Sequence, residues 1–200
     1  QLQESENEQD SPELTNEIAD PEKREENTPP EAVDDEFGIR PGRSTILPVL
    51  DNDSDIDGDV LTASPTSQPA WGSVAVARSG RALQIADVDA DQTGSTSFTY
   101  EASDGTATAP ARVQVTIHPY SQNEAPTQLR ASSVKIGQGA QIQYQALSDW
   151  RDPDSDPLFL KNAEAPEGLS VSFMEDGTMT ITEEGSAAGP KTVVLTVADD

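Results

Sequence analysis

Residues 29 to 80 of this chain recur almost without a gap 97 positions further on. Pro29 answers to Pro126, Gly42 to Gly139, Leu50 to Leu147, Asp55 to Asp152, Leu61 to Leu158, Pro69 to Pro166, Val74 to Val171 and Gly80 to Gly177. The offset then slips to 95, and GSTSFTYEASD ending at Asp104 matches GPKTVVLTVAD ending at Asp199. A chain that repeats one unit of roughly a hundred residues is a tandem array, an arrangement suited to length and multivalent contact rather than to a single catalytic pocket.

Within each copy the pattern is one of short strands separated by turn residues. Ser44 to Leu50, Val60 to Ala63, Ser73 to Ala77, Ala82 to Ala86, Ser97 to Ala102 and Ala111 to Ile117 alternate apolar and polar positions or are rich in β-branched residues. That spacing predicts an all-β sandwich. Ser79-Gly80 and Asp104-Gly105 are expected to close hairpins, since glycine accepts a positive φ. The second copy predicts strands at Gln141 to Leu147, Pro157 to Leu160, Leu169 to Phe173, Met179 to Thr182 and Thr192 to Ala198, with Asp176-Gly177 as its hairpin. It reaches Asp104's counterpart and then stops, without the strand that runs to Ile117 in the first copy. The expectation is a slice of a longer protein cut inside its second repeat; the sharper alternative is a strand donated by another chain.

Residues 1–28 carry ten acidic side chains, two basic ones and no aromatic. They cannot bury enough apolar surface to offset the entropy of ordering, so a disordered acidic linker is expected there. Ser11-Pro12-Glu13 offers the one helix start, and Pro29-Pro30 ends the segment. The expected organisation is a linker over 1–28, a first sandwich over 29–118, a linker over 119–126 and a second sandwich over 127–200.

The formal charge of −25, from 37 acidic and 12 basic residues, argues against nucleic acid and anionic lipid, whose phosphates need Lys and Arg. It favours cations or basic surfaces, or simply keeps an extracellular protein soluble. The chain has no cysteine, so disulfides and thiolate sites are excluded. No run nears the roughly 20 apolar residues of a membrane span, so no direct membrane contact is expected within this segment.

Asp51, Asp53, Asp55, Asp57 and Asp59 alternate with small residues and contain no Lys or Arg among them. Such crowding is relieved by water and salt, by raised pKa values, or by a hard cation such as Ca2+ held by oxygens. The side chains can equally be satisfied by hydrogen bonds to their own backbone. Asp53 to Gly58 matches the first half of an EF-hand loop, but Ser64 stands where the closing Glu is needed and a strand follows. The second copy keeps Asp152, Asp154 and Asp156, with Trp150 in place of Asp53's counterpart.

Taken in order, PPEAVDD, RPG, ILPVLDNDSDIDGDVLT, FTYEASDGTATAPARVQVTI and NEAP resemble the bacterial cadherin-like, immunoglobulin-like tandem repeats of large cell-surface proteins, high-GC Gram-positive ones above all. The likeness spans residues 29 to 118 well and 123 to 200 more loosely. It implies stacked immunoglobulin-like β-sandwiches that serve as stalks, adhesion modules or accessory modules, many of them binding calcium. Cadherins hold calcium between domains with a linker Asn, a DxD pair of the following domain and acidic residues of the preceding one. Asn123 matches the linker Asn, Glu124 stands beside it, and Asp152 with Asp154 matches the DxD pair. Asp87, Asp89, Asp91 and Asp104 are the acidic residues the preceding domain offers, but its Asp-Arg-Glu motif is absent.

The expected cation ligands are therefore Asp53, Asp55, Asp57 and Asp59 in the first copy and Asn123, Asp152, Asp154 and Asp156 around the second. No catalytic residue is expected. His118, the only histidine, stands beside Pro119 in the linker, and no GxSxG elbow supports a serine nucleophile. Trp71 and Trp150 could stack on sugars or close the sandwiches. Arg40-Pro41-Gly42-Arg43 reads as a turn, and the first copy lacks a lysine for an isopeptide staple. The function expected is a non-enzymatic spacer and adhesion segment on a bacterial surface, with neighbouring repeats and a surface protein or glycan as partners. The alternative is an accessory or carbohydrate-binding region of a polysaccharide-acting multidomain enzyme.

Overall fold

The computed structural model describes residues 27–185 and 187–199. The disordered linker expected over 1–28 falls, as far as residue 26, outside the described residues, as does the helix start at Ser11. The described chain is all-β: two sandwiches in tandem, each with its own core.

The first repeat contains β1 (Asp35–Ile39), β2 (Thr45–Leu47), β3 (Thr62–Pro65), β4 (Ser73–Ala77), β5 (Ala82–Ala86), β6 (Ser95–Ser103) and β7 (Thr108–Ile117). One sheet has the order β1-β7-β6-β3 and the other β2-β5-β4. β1 runs parallel to β7, from Asp35 opposite Val113 to Ile39 opposite Ile117. On β6 the period of two sends Thr96, Phe98, Tyr100 and Ala102 inward, and all four are buried. They meet Leu47, Leu83 and Ile85 of the facing sheet in one continuous apolar core. Tyr100 buries its ring in this core while its hydroxyl donates to the Val49 carbonyl and to Asp53 Oδ2, each at 2.9 Å. Trp71 packs against the edge of the same core.

The second repeat contains β8 (Thr127–Gln128), β9 (Gln141–Gln145), β10 (Trp150–Arg151), β11 (Phe159–Glu164), β12 (Leu169–Phe173), β13 (Thr178–Glu183) and β14 (Val194–Ala198). Its sheets are β12-β13-β9 and β11-β14, with β10 and β8 forming a short pair of their own. Among the described residues β14 is therefore hydrogen-bonded on one side only, where its counterpart β6 has β3 and β7 as neighbours. Ala146, Leu160, Met179 and Ile181 form the fully buried centre, ringed by half-buried residues such as Leu195 and Val197.

Three expectations are corrected. The strand expected to reach Leu147 ends at Gln145 and turns into a 3-10 segment, Ala146–Asp149. The strand expected at Val60 begins at Thr62, leaving Val60 77% exposed in the acidic loop. β1 was not expected at all, because DEFGI has two acidic residues and a glycine in five positions and its pairing with β7 is long-range.

Candidate functional site

The acidic loop takes the same backbone form in both copies. In the second, Asp152 Oδ1 accepts the N–H groups of Asp154 and Asp156, each at 2.9 Å. In the first, Asp55 Oδ1 accepts those of Asp57 at 2.9 Å and Asp59 at 3.2 Å. A residue at positive φ completes the turn, Gly58 at 77° and Ser155 at 60°. Glycine adopts this conformation freely, whereas Ser155 must be held in it by its surroundings. The DxDxD spacing thus has a local cause: the first carboxylate caps the backbone and the next two point outward.

What those outward carboxylates meet differs. In the second repeat they meet Arg40, delivered by the turn between β1 and β2 of the first repeat. Arg40 is 2% exposed and is the largest fully buried side chain of the described residues. Its Nη2 donates to Asp156 Oδ2 at 2.6 Å, Asn123 Oδ1 at 2.6 Å and Asp154 Oδ2 at 3.0 Å, and its Nε donates to Asp156 Oδ2 at 2.9 Å. Its Nη1 donates to the carbonyls of Gln122 at 2.6 Å, Pro119 at 2.9 Å and His118 at 3.3 Å. The guanidinium therefore ties together the first repeat, the linker and the second repeat. A burial this deep is tolerated because the donors find acceptors and the charge finds two carboxylates.

Further contacts brace the joint. Arg43 Nη2 reaches Asp156 Oδ1 and the Ser155 carbonyl, both at 2.7 Å. The Ser155 hydroxyl donates to the Gly38 carbonyl at 2.6 Å, which gives that strained residue an anchor. His118 Nδ1 lies 2.5 Å from Asp154 Oδ1. From the other side Arg151 of β10 pairs with Asp51 at 2.8 Å and covers the Phe37 ring at 5.3 Å. Gly38 sits so close that a Cβ there would stand 2.1 Å from the Pro153 carbonyl oxygen.

Electrostatics follow this geometry. Burial works to raise the Asp154 pKa, but the Glu124 N–H, His118 and Arg40 together hold it below the ordinary carboxylate value. Hydrogen bonding to Asp156 holds Arg40 more firmly protonated than usual. Asp152 moves the opposite way, raised by burial and by the adjoining Asp199 carboxyl, and its Oδ2 is a buried oxygen with no hydrogen-bond partner.

The cation ligands expected from sequence are thus split. Asn123, Asp152, Asp154 and Asp156 do converge, and one oxygen from each of the three aspartates lies within 4.8 Å of the others. Oxygen-only donors of this kind have the chemistry calcium requires. Yet one oxygen each of Asn123, Asp154 and Asp156 is already turned onto the Arg40 guanidinium. In the first copy Asp53 turns inward, its Oδ1 accepting the Val33 N–H at 2.8 Å and its Oδ2 the Tyr100 hydroxyl, so it does not join Asp55, Asp57 and Asp59. Asp104 pairs with Asn27 at 2.9 Å rather than with the second repeat. Arg40 and Arg43 are what sequence reasoning missed. Their backbone does form the expected turn, but the one signal of a further role was a pair of arginines in a very acidic chain.

Residues 27–116 and 123–200 both match the bacterial Ig domain family. The chain belongs to that family. No curated protein sequence matches it. Among solved structures it is similar to human protocadherin-24 EC1-2, at 15% identity and a TM-score of 0.37, covering 86% of this chain and 94% of that one. It is also similar to the endo-fucoidan hydrolase MfFcnA4 from glycoside hydrolase family 107, at 21% identity and a TM-score of 0.34. A third is BT4661, a SusE-like surface located polysaccharide binding protein from Bacteroides thetaiotaomicron, at 15% identity and a TM-score of 0.29. The bacterial Ig tandem covers 86% of itself in each of these last two but spans only 27% of the hydrolase and 32% of BT4661. Likenesses this weak carry no argument about function.

Proposed function

We propose that this bacterial Ig tandem is a non-enzymatic spacer and adhesion segment of a cell-surface protein, and that it works by holding two sandwiches at a fixed relative orientation. The observation that supports the reading is the buried Arg40 guanidinium, shared by both repeats and their linker. A joint made of seven donor contacts from one planar group resists bending and twisting at once, because each displacement misaligns several charge-assisted bonds. Among the described residues no helix is long and apolar enough to cross a membrane. The accessory role in a polysaccharide-acting enzyme has less behind it: Trp71 packs against the first core and Trp150 is half-buried in β10, so neither ring is presented as a sugar platform.

In this reading the neutralising cation at the joint belongs to the protein itself. In the first-repeat loop Asp57 and Asp59 form no ion pair among the described residues. Residual dipolar couplings of the two repeats test the proposal. Both repeats should share one alignment tensor in the native chain, with or without millimolar calcium, and separate into two in Arg40→Ala. Two independent tensors in the native chain would sink the spacer reading.

A further inference from the structure

The acidic loop of the first repeat, whose Asp51 already pairs with Arg151 of the second, carries the same socket that receives Arg40 in the second. The matching goes beyond the aspartate turn. Asn27 Nδ2 donates to Asp104 Oδ2 at 2.9 Å, as Asn123 Nδ2 donates to Asp199 Oδ2 at 3.0 Å. The Thr28 N–H donates to Asp57 Oδ2 at 2.6 Å, as the Glu124 N–H donates to Asp154 Oδ2 at 2.7 Å. In both copies the first aspartate of the loop keeps one buried oxygen without a partner, Asp55 Oδ2 and Asp152 Oδ2. The counterparts of Asn123, Asp154 and Asp156, which hold the guanidinium in the second repeat, are Asn27, Asp57 and Asp59, and among the described residues Asp57 and Asp59 form no ion pair, although Arg81 lines the same depression as Asp59.

An independent feature points to a covering partner. Ile56 is 83% exposed, a bare aliphatic side chain in a charged loop. Ile56 occupies the position of Pro153, which in the second repeat lies against Gly38 of its neighbour. Pro153 makes this approach through its backbone carbonyl.

We propose that this loop face of the first repeat docks the arginine turn of another repeat, head to tail, with a guanidinium seated on Asn27, Asp57 and Asp59 and the turn's flanking backbone over Ile56. The partner's chemistry follows from the joint already in view: an arginine at the start of a tight turn, preceded by a small residue. Gly38, Ile39 and Arg40 supply that chemistry in the first repeat. The second repeat has Lys135, Ile136 and Gly137 at the corresponding positions, so it cannot donate. The native chain does not pair with itself either, because its Arg40 is buried in its own joint. The occupant is a separate repeat whose arginine is free.

The test needs a donor with a liberated arginine. A full chain carrying Asp154→Asn and Asp156→Asn releases Arg40, and a synthetic peptide copying residues 36–46 serves as a second donor should that variant fold poorly. Added to the 15N-labelled native chain, either donor is expected to shift the amides of Asn27, Thr28, Asp57 and Asp59 in a saturable way. The shifts should vanish when the donor also carries Arg40→Ala, and when the labelled chain carries Asp59→Asn. Shifts that survive removal of the donor's arginine overturn the proposal. So does silence from both donors, and so does a response of these amides to calcium chloride but to neither donor. The proposal builds on the arginine-pinned joint but fails separately from it, since a rigid native joint together with an unresponsive loop face rejects only the docking.

Discussion

The two repeats descend from one pattern yet are built to different tolerances. Among the described residues, sixteen buried apolar residues form a continuous core in the first, and only four do so in the second. The difference goes with strand neighbours and with smaller side chains at the matching positions. β6 lies between β3 and β7, and β1 caps the far edge of β7, so Phe98 and Tyr100 are sealed on every side. Among the described residues β14 has β11 alone beside it, and the counterparts of those rings, Val193 just before β14 and Leu195 within it, stay half-exposed. The lesson is that the joint also supports the second repeat: Asp152 and Asp154 are among its most buried residues, at 3% and 1% exposure, and part of what buries them belongs to the first repeat.

The largest test of this comparison is to damage the better core. Phe98→Ala should destabilise the first repeat by about 3–5 kcal/mol. In calorimetry of the native chain the second repeat is expected to melt first, and in this variant the order should reverse or the transitions merge. An unchanged order would mean that core burial does not set the ranking.

Next in size is Arg40→Ala. Removing the guanidinium leaves Asp154 and Asp156 facing each other in a buried joint without compensation, a loss of about 3 kcal/mol. The cost should fall on the second repeat's transition and leave the first nearly unmoved. Arg40→Lys should not restore it, because an ammonium cannot span carboxylates and linker carbonyls in one plane. Rescue by lysine would reduce the joint to simple charge neutralisation.

The first repeat should also lose stability as pH rises, by on the order of 2 kcal/mol. Burial, reinforced by the Asp53 charge, pushes Asp35 of the first repeat up to about 7. A carboxyl raised in the folded state binds its proton more tightly there than in the unfolded chain. Its contribution is therefore full below the ordinary value of 3.8 and is lost as pH rises through about 7. In the second repeat burial works to raise Asp149, but the Tyr144 and Ser132 hydroxyls and Arg130 hold it below the ordinary value. That stabilisation is present above 3.8 and disappears as pH falls further. Melting at pH 5 against pH 8 should favour the first repeat at pH 5, and Asp35→Asn should flatten its response. A first repeat that gains stability on going to pH 8 would contradict the assignment.

The smallest expected effect sharpens the comparison most directly. Val193 stands where Phe98 stands in the first copy, and Val193→Ala should cost about 1 kcal/mol because the site is already half in water. A loss approaching that of Phe98→Ala would show that β14 is better covered in solution than its single strand neighbour implies.

Much of this architecture could be read without coordinates. The alternation in Ser73 to Ala77, Ala82 to Ala86 and Leu169 to Phe173 marks these stretches as strands, and all three have the expected bounds. The aspartate spacing likewise foretold a tight loop, since its hydrogen bonds run between residues two and four apart. β1 was illegible because a parallel pairing with residues 113–117 leaves no local mark on DEFGI. Asp53 was grouped with its neighbours by spacing alone, and only the Tyr100 hydroxyl, 47 positions away, shows why it turns inward.

The sequence by itself determined that this is a duplicated all-β chain with an acidic loop at the same place in each copy, because strand periodicity and turn chemistry act over a few residues. Only the tertiary structure decided what those loops hold. Arg40 stands 114 positions from Asp154, and a charge pair at that separation exists only once two independently patterned sandwiches have been brought together in space.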